Sequence, residues 1–272
     1  MSAEPGETVE LYARDEGSGP PLLLVHGLGA SHLIWNAMVP SLSERYRVVA
    51  PDLRGHGRSV APANARFGFS DLEADLVRLL DLKGIDSAHL VGFSAGALLT
   101  LRMALDLPGR VRSLTLIGGA VYTDGLTRAV TERWAETYTK EGADALSLRL
   151  LKDLYYPDWI EAHMELVDLL HEQVRRADFR GASLWGRASL TFDERPRIAS
   201  LAAPTLIVQA MDDQVVDAAH GRILRQSIGD SQIRILARTG HMVPLERPHE
   251  AVEAIGSFVD AVERRRAGAP AG

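Results

Sequence analysis

Three short stretches of this chain carry side chains that could do covalent chemistry together. The first is His89-Leu90-Val91-Gly92-Phe93-Ser94-Ala95-Gly96-Ala97-Leu98-Leu99, which reads as a short apolar strand, a serine between glycines, and then a run of good helix formers. A serine at such a corner lies in a tight strand-to-helix turn. The flanking glycines let neighbouring backbones approach and leave the hydroxyl clear at the helix N-terminus. A hydroxyl is a weak nucleophile near neutrality, so Ser94 needs a histidine to accept its proton and an acid to orient that histidine. The other two stretches supply both: Ala210-Met211-Asp212-Asp213-Gln214-Val215-Val216 and Arg238-Thr239-Gly240-His241-Met242-Val243-Pro244, each following an apolar run. In a parallel sheet the loops at the carboxyl ends of the strands share one rim, where Ser94, one of the two aspartates and His241 would converge. Taken alone, Gly-x-Ser-x-Gly is equally well explained by a turn serine that caps a helix.

Positioning these loops requires alternating strands and helices, and the hydropathy pattern supplies them. Residues 8–13 alternate as a strand, and 22–25 form a continuous apolar run suited to a strand buried on both faces. Further strands are expected at 46–50, 114–117, 205–208 and 233–236. A helix is expected from the capping-box pattern Ser70-Asp71-Leu72-Glu73 through Leu72, Leu76, Leu79 and Leu80 to Gly84. Others follow the serine, span 219–228 and close the chain over 248–264. The expected class is α/β, with a mostly parallel central sheet flanked by helices. Between about 120 and 200 the alternation stops, and helical patterns at 134–138 and 160–174 replace it. The expected organisation is one compact domain, with a core of 1–120 and 201–272 and a helical cap inserted at 121–200. Nine aromatics fall in that cap: Tyr122, Trp134, Tyr138, Tyr155, Tyr156, Trp159, Phe179, Trp185 and Phe192. Some must pack the cap itself, and others could roof a pocket.

The bulk numbers narrow the function. With 272 residues, 46% hydrophobic and 24% charged, the chain has the balance of a globular protein with a sizeable core. A net charge of -6 without a basic stripe gives nucleic-acid binding no electrostatic support. Cysteine is absent, which removes disulfides, thiol catalysis and Cys-ligated metals. The polar, acidic start is unlike a signal peptide, and no segment has the apolar length of a membrane span, so a cytoplasmic location without membrane partners is expected. Metal and nucleotide motifs also fail: His171-Glu172 begins like H-E-x-x-H but closes on Arg175, and His32 stands where a dinucleotide fingerprint needs its third glycine. No metal or cofactor is expected.

The motifs together resemble the α/β-hydrolase family, in its compact esterase, lactonase and perhydrolase branch. The likeness rests on His26-Gly27-Leu28-Gly29, Asp52-Leu53-Arg54-Gly55-His56-Gly57-Arg58-Ser59, Gly92-Phe93-Ser94-Ala95-Gly96, the Asp212-Asp213 loop, and Gly240-His241 with Glu246-Arg247-Pro248. It covers nearly all of the chain outside the cap. The chain order Ser, Asp, His is that of the family. The resemblance implies Ser94 as nucleophile, His241 as base and Asp213, at the second acidic position, as orienting acid. It also implies an oxyanion hole of the Ala95 and Leu28 backbone N–H groups. Trp134, Tyr138, Trp159 and Trp185, with Met242 beside His241, are the candidate substrate-pocket residues.

Relatives that need a carboxylate nucleophile, such as haloalkane dehalogenases and epoxide hydrolases, are set aside because the elbow carries a hydroxyl. The implied activity is cofactor-free hydrolysis of a small-molecule carboxylic ester or lactone through an acyl-enzyme. Carbon–carbon bond hydrolysis and perhydrolysis on the same residues are alternatives, although Met242 stands where the carbon–carbon hydrolases carry an aromatic. A small-molecule receptor that keeps the fold without turnover is the alternative of another class. Monomer and homo-oligomer are equally compatible with the sequence.

Overall fold

The computed structural model describes residues 9–60, 67–176 and 179–268. The apolar runs become one seven-stranded sheet: β1 Ala13–Glu16, β2 Pro21–Val25, β3 Arg47–Pro51, β4 Ala88–Phe93, β5 Val111–Ile117, β6 Thr205–Ala210 and β7 Ser231–Leu236. Their spatial order is β1-β3-β2-β4-β5-β6-β7, with β1 antiparallel to β3 and every other pair parallel. Strands β3 and β4 lie on opposite sides of β2, so the chain reverses its winding direction there. The crevice outside the carboxyl ends of β2 and β4 is the topological switch point where ligands of such sheets bind.

Successive residues of each central strand face opposite ways, and the two apolar layers divide accordingly. Leu23, Val25, Leu90, Leu114, Leu116 and Ile207 face one layer, and Leu22, Leu24, Val91, Phe93, Leu206 and Val208 face the other. Helices α1 (Val39–Ser43), α2 (Phe69–Leu82) and α3 (Ala95–Asp106) alternate with the first five strands. After β5 come five helices without a strand: α4 Gly125–Glu141, α5 Ala143–Leu154, α6 Pro157–Ala162, α7 Met164–Arg176 and α8 Phe179–Ser189. Helices α9 (Ala219–Ser227), α10 (Val243–Glu246) and α11 (Pro248–Arg266) complete the chain, α11 packing with α1 beneath the second layer. The strandless segment leaves and rejoins the core at one place. Tyr122 bridges Asp193, the Thr123 N–H donates to the Phe192 carbonyl (2.9 Å), and the Glu194 N–H donates to the Val121 carbonyl (2.8 Å). No helix among the described residues is long and apolar enough to cross a membrane.

Three local expectations are corrected. The strand expected at 8–13 lies at 13–16 instead, and Thr8 lies outside the described residues. Side chains take the backbone donors upstream: the Val9 N–H bonds Asp75 Oδ1 (2.7 Å) and the Tyr12 N–H bonds Ser59 Oγ (2.8 Å). The helix expected over 160–174 breaks at His163. There the imidazole Nδ1 meets the Trp159 carbonyl (2.8 Å), and the His163 backbone N–H turns to Ile160. Finally, α2 starts at Phe69 after Gly68, which has no side chain to cap with, and the cap is one-sided: Asp71 Oδ2 accepts the Gly68 N–H (2.9 Å).

Glu73 is thereby left facing inward, and it makes stability depend on pH. Burial, with Asp106 nearby, raises its pKa to about 7 against the pull of Arg102 and Arg197. The folded value lies above the unfolded one, so the native state holds this proton more tightly. Its contribution is fully present below about pH 4.5 and is lost by about 1.4 kcal/mol per pH unit as pH rises toward 7. Glu73→Gln, which mimics the protonated acid, is expected to raise Tm at pH 8 and leave it unchanged at pH 4.5. Thermal melts of both proteins at the two pH values check this; equal shifts at both contradict it.

Candidate active site

The backbone around Ser94 can be built only with the residues present. Ser94 has φ 55° and ψ -122°, a conformation that costs a non-glycine residue about 1–3 kcal/mol. Its N–H is held by the Ile117 carbonyl (2.9 Å) on the neighbouring strand. A Cβ on Gly92 would lie 2.3 Å from Thr100 Oγ1, and one on Gly96 would lie 2.4 Å from the Val25 and His26 carbonyl oxygens. Both glycines are therefore forced by close approach, and the helix that follows is pressed against the end of β2.

Three side chains from three loops meet at this rim. His241 Nε2 lies 2.8 Å from Ser94 Oγ, and His241 Nδ1 lies 2.7 Å from Asp213 Oδ2. The other carboxylate oxygen, Asp213 Oδ1, accepts the Val215 and Val216 N–H groups (2.8 and 2.9 Å), which fixes the carboxylate plane. Asp213 and His241 are buried, and the imidazole packs against the Phe93 ring (5.1 Å). The carboxylate paired with His241 is that of Asp213, whereas the Asp212 backbone N–H bonds the Thr239 carbonyl (3.1 Å). The Ala95 N–H opens α3, and the Leu28 N–H lies in the loop after β2. Neither is hydrogen-bonded among the described residues, so both remain donors beside Ser94.

Glu246 completes the frame, a contribution that its place in the Gly240–Pro248 motif did not reveal. Its Oε2 accepts the Gly240 and Tyr156 N–H groups (both 3.0 Å), and its Oε1 accepts the Met242 N–H (3.2 Å). One carboxylate thus grips the residues on both sides of His241 and ties them to the segment after α5. The fit is tight enough that a Cβ on Gly240 would lie 2.7 Å from the Leu154 carbonyl oxygen.

Buried His26 and His56 hold backbone together, His56 through Nδ1 on the Arg54 carbonyl (3.0 Å). His26 accepts the Leu53 N–H at Nε2 (2.9 Å) and pairs Nδ1 with the Gly27 carbonyl (2.8 Å), and burial pushes its pKa down to about 3. A second row of similar residue types, Ser113–His89–Glu263 (2.7 and 3.1 Å), runs beneath the sheet, but Ser113 and His89 are each 1% exposed. Access, and not residue type, separates the two rows.

Access at Ser94 is a chamber of about 50 Å³ under the inserted helices. Of the five expected pocket residues, Trp134 lines it, beside Ser94 and the two expected oxyanion-hole residues Leu28 and Ala95, whereas Tyr138, Trp159, Trp185 and Met242 do not. Trp185 is fully buried against His26 and His56, because Gly186, one residue and about 100° further round α8, is what faces the chamber. Trp159 is stacked between Tyr155 (4.7 Å) and His163 (4.4 Å). Tyr138 lies one turn beyond Trp134 and is 43% exposed, and Met242 packs into the second apolar layer with its N–H also on the Leu154 carbonyl (3.1 Å). The side chain of Phe179 lies outside the described residues. The lining also includes Thr127 and Thr131, which the sequence reading missed. Thr127, Thr131 and Trp134 fall at i, i+4 and i+7 on one stripe of α4, a periodicity that could have marked them. Among the described residues no group of three or more His, Asp or Glu could hold a metal ion.

A sheet of this topology with a Gly-flanked serine, histidine and aspartate at its rim defines a class, and comparison with known proteins supplies its name. The chain belongs to the alpha/beta hydrolase fold family, whose model matches residues 20–248. It is 29% identical over 265 residues to the 2-hydroxy-6-oxo-2,4-heptadienoate hydrolase of Pseudomonas putida, covering 93% of this chain and 94% of that protein. Among solved structures it is similar to a thermophilic esterase of Thermogutta terrifontis (TM-score 0.85, 25% identity, 96% of each chain). It is equally similar to the enol-lactonase of Burkholderia xenovorans (TM-score 0.85, 25% identity, 92% of this chain and 96% of that one).

Proposed function

We propose that the protein hydrolyses carboxylic esters or lactones of small molecules through an acyl-enzyme on Ser94. The observation that carries this reading is the unbroken hydrogen-bonded line Asp213–His241–Ser94 ending beneath two unbonded backbone N–H donors. His241 Nε2 takes the Ser94 proton as Oγ attacks the carbonyl carbon, and the carbonyl oxygen becomes an anion between the Leu28 and Ala95 N–H groups. Each such donor is worth about 3–4 kcal/mol in the transition state. Asp213 holds Nδ1–H and stabilises the imidazolium. Collapse of the intermediate expels the alcohol, which takes the proton from His241. Water then attacks the acyl-enzyme, giving its proton to His241, and the second collapse returns that proton to Ser94 and frees the acid.

The inserted helices act as the roof over the acyl group. Similarity to an esterase and an enol-lactonase supports this bond type, while the heptadienoate hydrolase shows that the fold alone does not select it. The test is a hydrolysis screen on a graded series of p-nitrophenyl esters and several lactones, read as kcat/KM. Turnover well above the buffer rate for at least one ester or lactone is expected; none for any of them would favour the receptor reading instead.

A further inference from the structure

Resting on that reading, we infer that the chamber selects the acyl group by size and charge: short and uncharged, with acyl groups ending in a carboxylate refused. The acyl group stays on Ser94 after the alcohol has left, and the inference places it in the roofed space that opens on Ser94 and Ala95. At about 50 Å³ the chamber is a small space, against the roughly 10–15 Å³ that a single water needs. It accommodates the one to three carbons beyond the carbonyl of an acetyl, propionyl or butyryl group. An octanoyl chain, with seven, does not fit.

The charge argument comes from where the protons of the lining go. No Lys, Arg, His, Asp or Glu side chain is among the described residues that line the chamber. Its polar donors are already committed: Thr123 Oγ1 donates to the Ser189 carbonyl (2.6 Å), Thr127 Oγ1 to Val215 (2.8 Å), Thr131 Oγ1 to Thr127 (2.8 Å) and Ser189 Oγ to Trp185 (3.0 Å). The indole Nε1–H of Trp134 is held by Asp153 Oδ2 (2.8 Å). Among the described side chains of the lining, beyond Ser94 itself, the Tyr122 hydroxyl lies outside this tally, and the free Leu28 and Ala95 N–H groups are taken by the carbonyl oxygen of the ester. A carboxylate pushed into the chamber would lose its water and gain neither a cation nor the two or three donors that make a buried anion tolerable. The walls facing it are instead apolar: Leu28, Leu98, Leu190, Val215 and Val216.

The test uses the intact chain and methyl esters of acetate, butyrate, pentanoate, octanoate and succinate (the monoester), with methanol release as readout. Butyrate is expected to exceed octanoate in kcat/KM by at least roughly tenfold, the loss that even one misfit methylene brings in an apolar pocket. Butyrate is expected to exceed monomethyl succinate by roughly a hundredfold or more, the penalty of an unpaired buried charge. Trp134→Ala, which removes the largest side chain of the lining, should move the length limit outward and raise octanoate relative to butyrate. Octanoate or succinate turned over as fast as its shorter or neutral counterpart, and abolished by loss of Ser94, would overturn the inference while leaving the hydrolase intact. A length limit that follows the alcohol in place of the acyl chain would overturn it too. Absence of turnover on every ester overturns both this inference and the reading beneath it. If Trp134→Ala does not fold, the unmodified series still decides.

Discussion

Ser94→Ala is expected to lower kcat for a good ester by roughly four to six orders of magnitude, with the fold retained. The substitution removes one oxygen at a corner whose backbone is held by other groups: the Ser94 N–H on the Ile117 carbonyl, Gly92 against α3, and Gly96 against the end of β2. What vanishes is the oxygen proposed to form the acyl bond, which leaves water to attack unaided between the two N–H donors. Turnover of the purified variant, beside a thermal melt within a few degrees of the wild type, checks both halves. Unchanged hydrolysis would remove Ser94 from the mechanism.

Asp213→Asn tests the orienting acid, and here the geometry predicts how the loss arises. Asp213 uses Oδ1 for the Val215 and Val216 N–H groups and Oδ2 for His241. An asparagine must keep its oxygen on the two N–H groups, which turns its NH₂ toward His241 Nδ1. That nitrogen then accepts, the ring proton moves to Nε2, and the imidazole can no longer take the Ser94 proton. The expected loss is about ten-thousand-fold in kcat, as in the best-studied comparable triad, against less than about tenfold for Asp212→Asn. Measured on one ester with folding checked by melting, the reverse order would pass the role to Asp212. Equal, mild losses would place the acid elsewhere.

Much of the sheet was legible because strands buried on both faces are mostly apolar and rich in branched residues, as 22–25, 46–50 and 114–117 are. Their loops were legible too, since Ser94, the 212–213 pair and His241 each follow such a run. The errors share a cause. Residues 8–13 alternate like a strand, yet Asp75 and Ser59, distant in sequence, claim the Val9 and Tyr12 donors. The break at His163 depends on an imidazole outcompeting its own backbone for one carbonyl. Trp185 and Trp134 look alike as letters, but a rotation around a helix sends one into the core and leaves the other over the serine. Depth is a tertiary quantity, and an aromatic in an inserted helix carries no mark of it. The threonine stripe of α4 was readable in principle, because spacing by four needs no third dimension.

The paired ends of the helical insertion carry a consequence for how such an enzyme can change. Residues 121–123 and 192–194 are hydrogen-bonded neighbours, so the helices between them hang from a closed stem, and the sheet does not register how long the excursion is. Segments that start and finish side by side are the ones a scaffold tolerates being exchanged. Ser94, Asp213 and His241 all lie outside this stem, while the Thr127–Thr131–Trp134 stripe lies within it. The side chains proposed to break the bond and the α4 stripe therefore lie on different pieces of chain, while Leu28, Leu98, Val215 and Val216 of the same lining stay with the core. A new helical loop grafted onto the stem would reshape the roof, provided that it restored the Tyr156 and Leu154 contacts that hold the loop of His241.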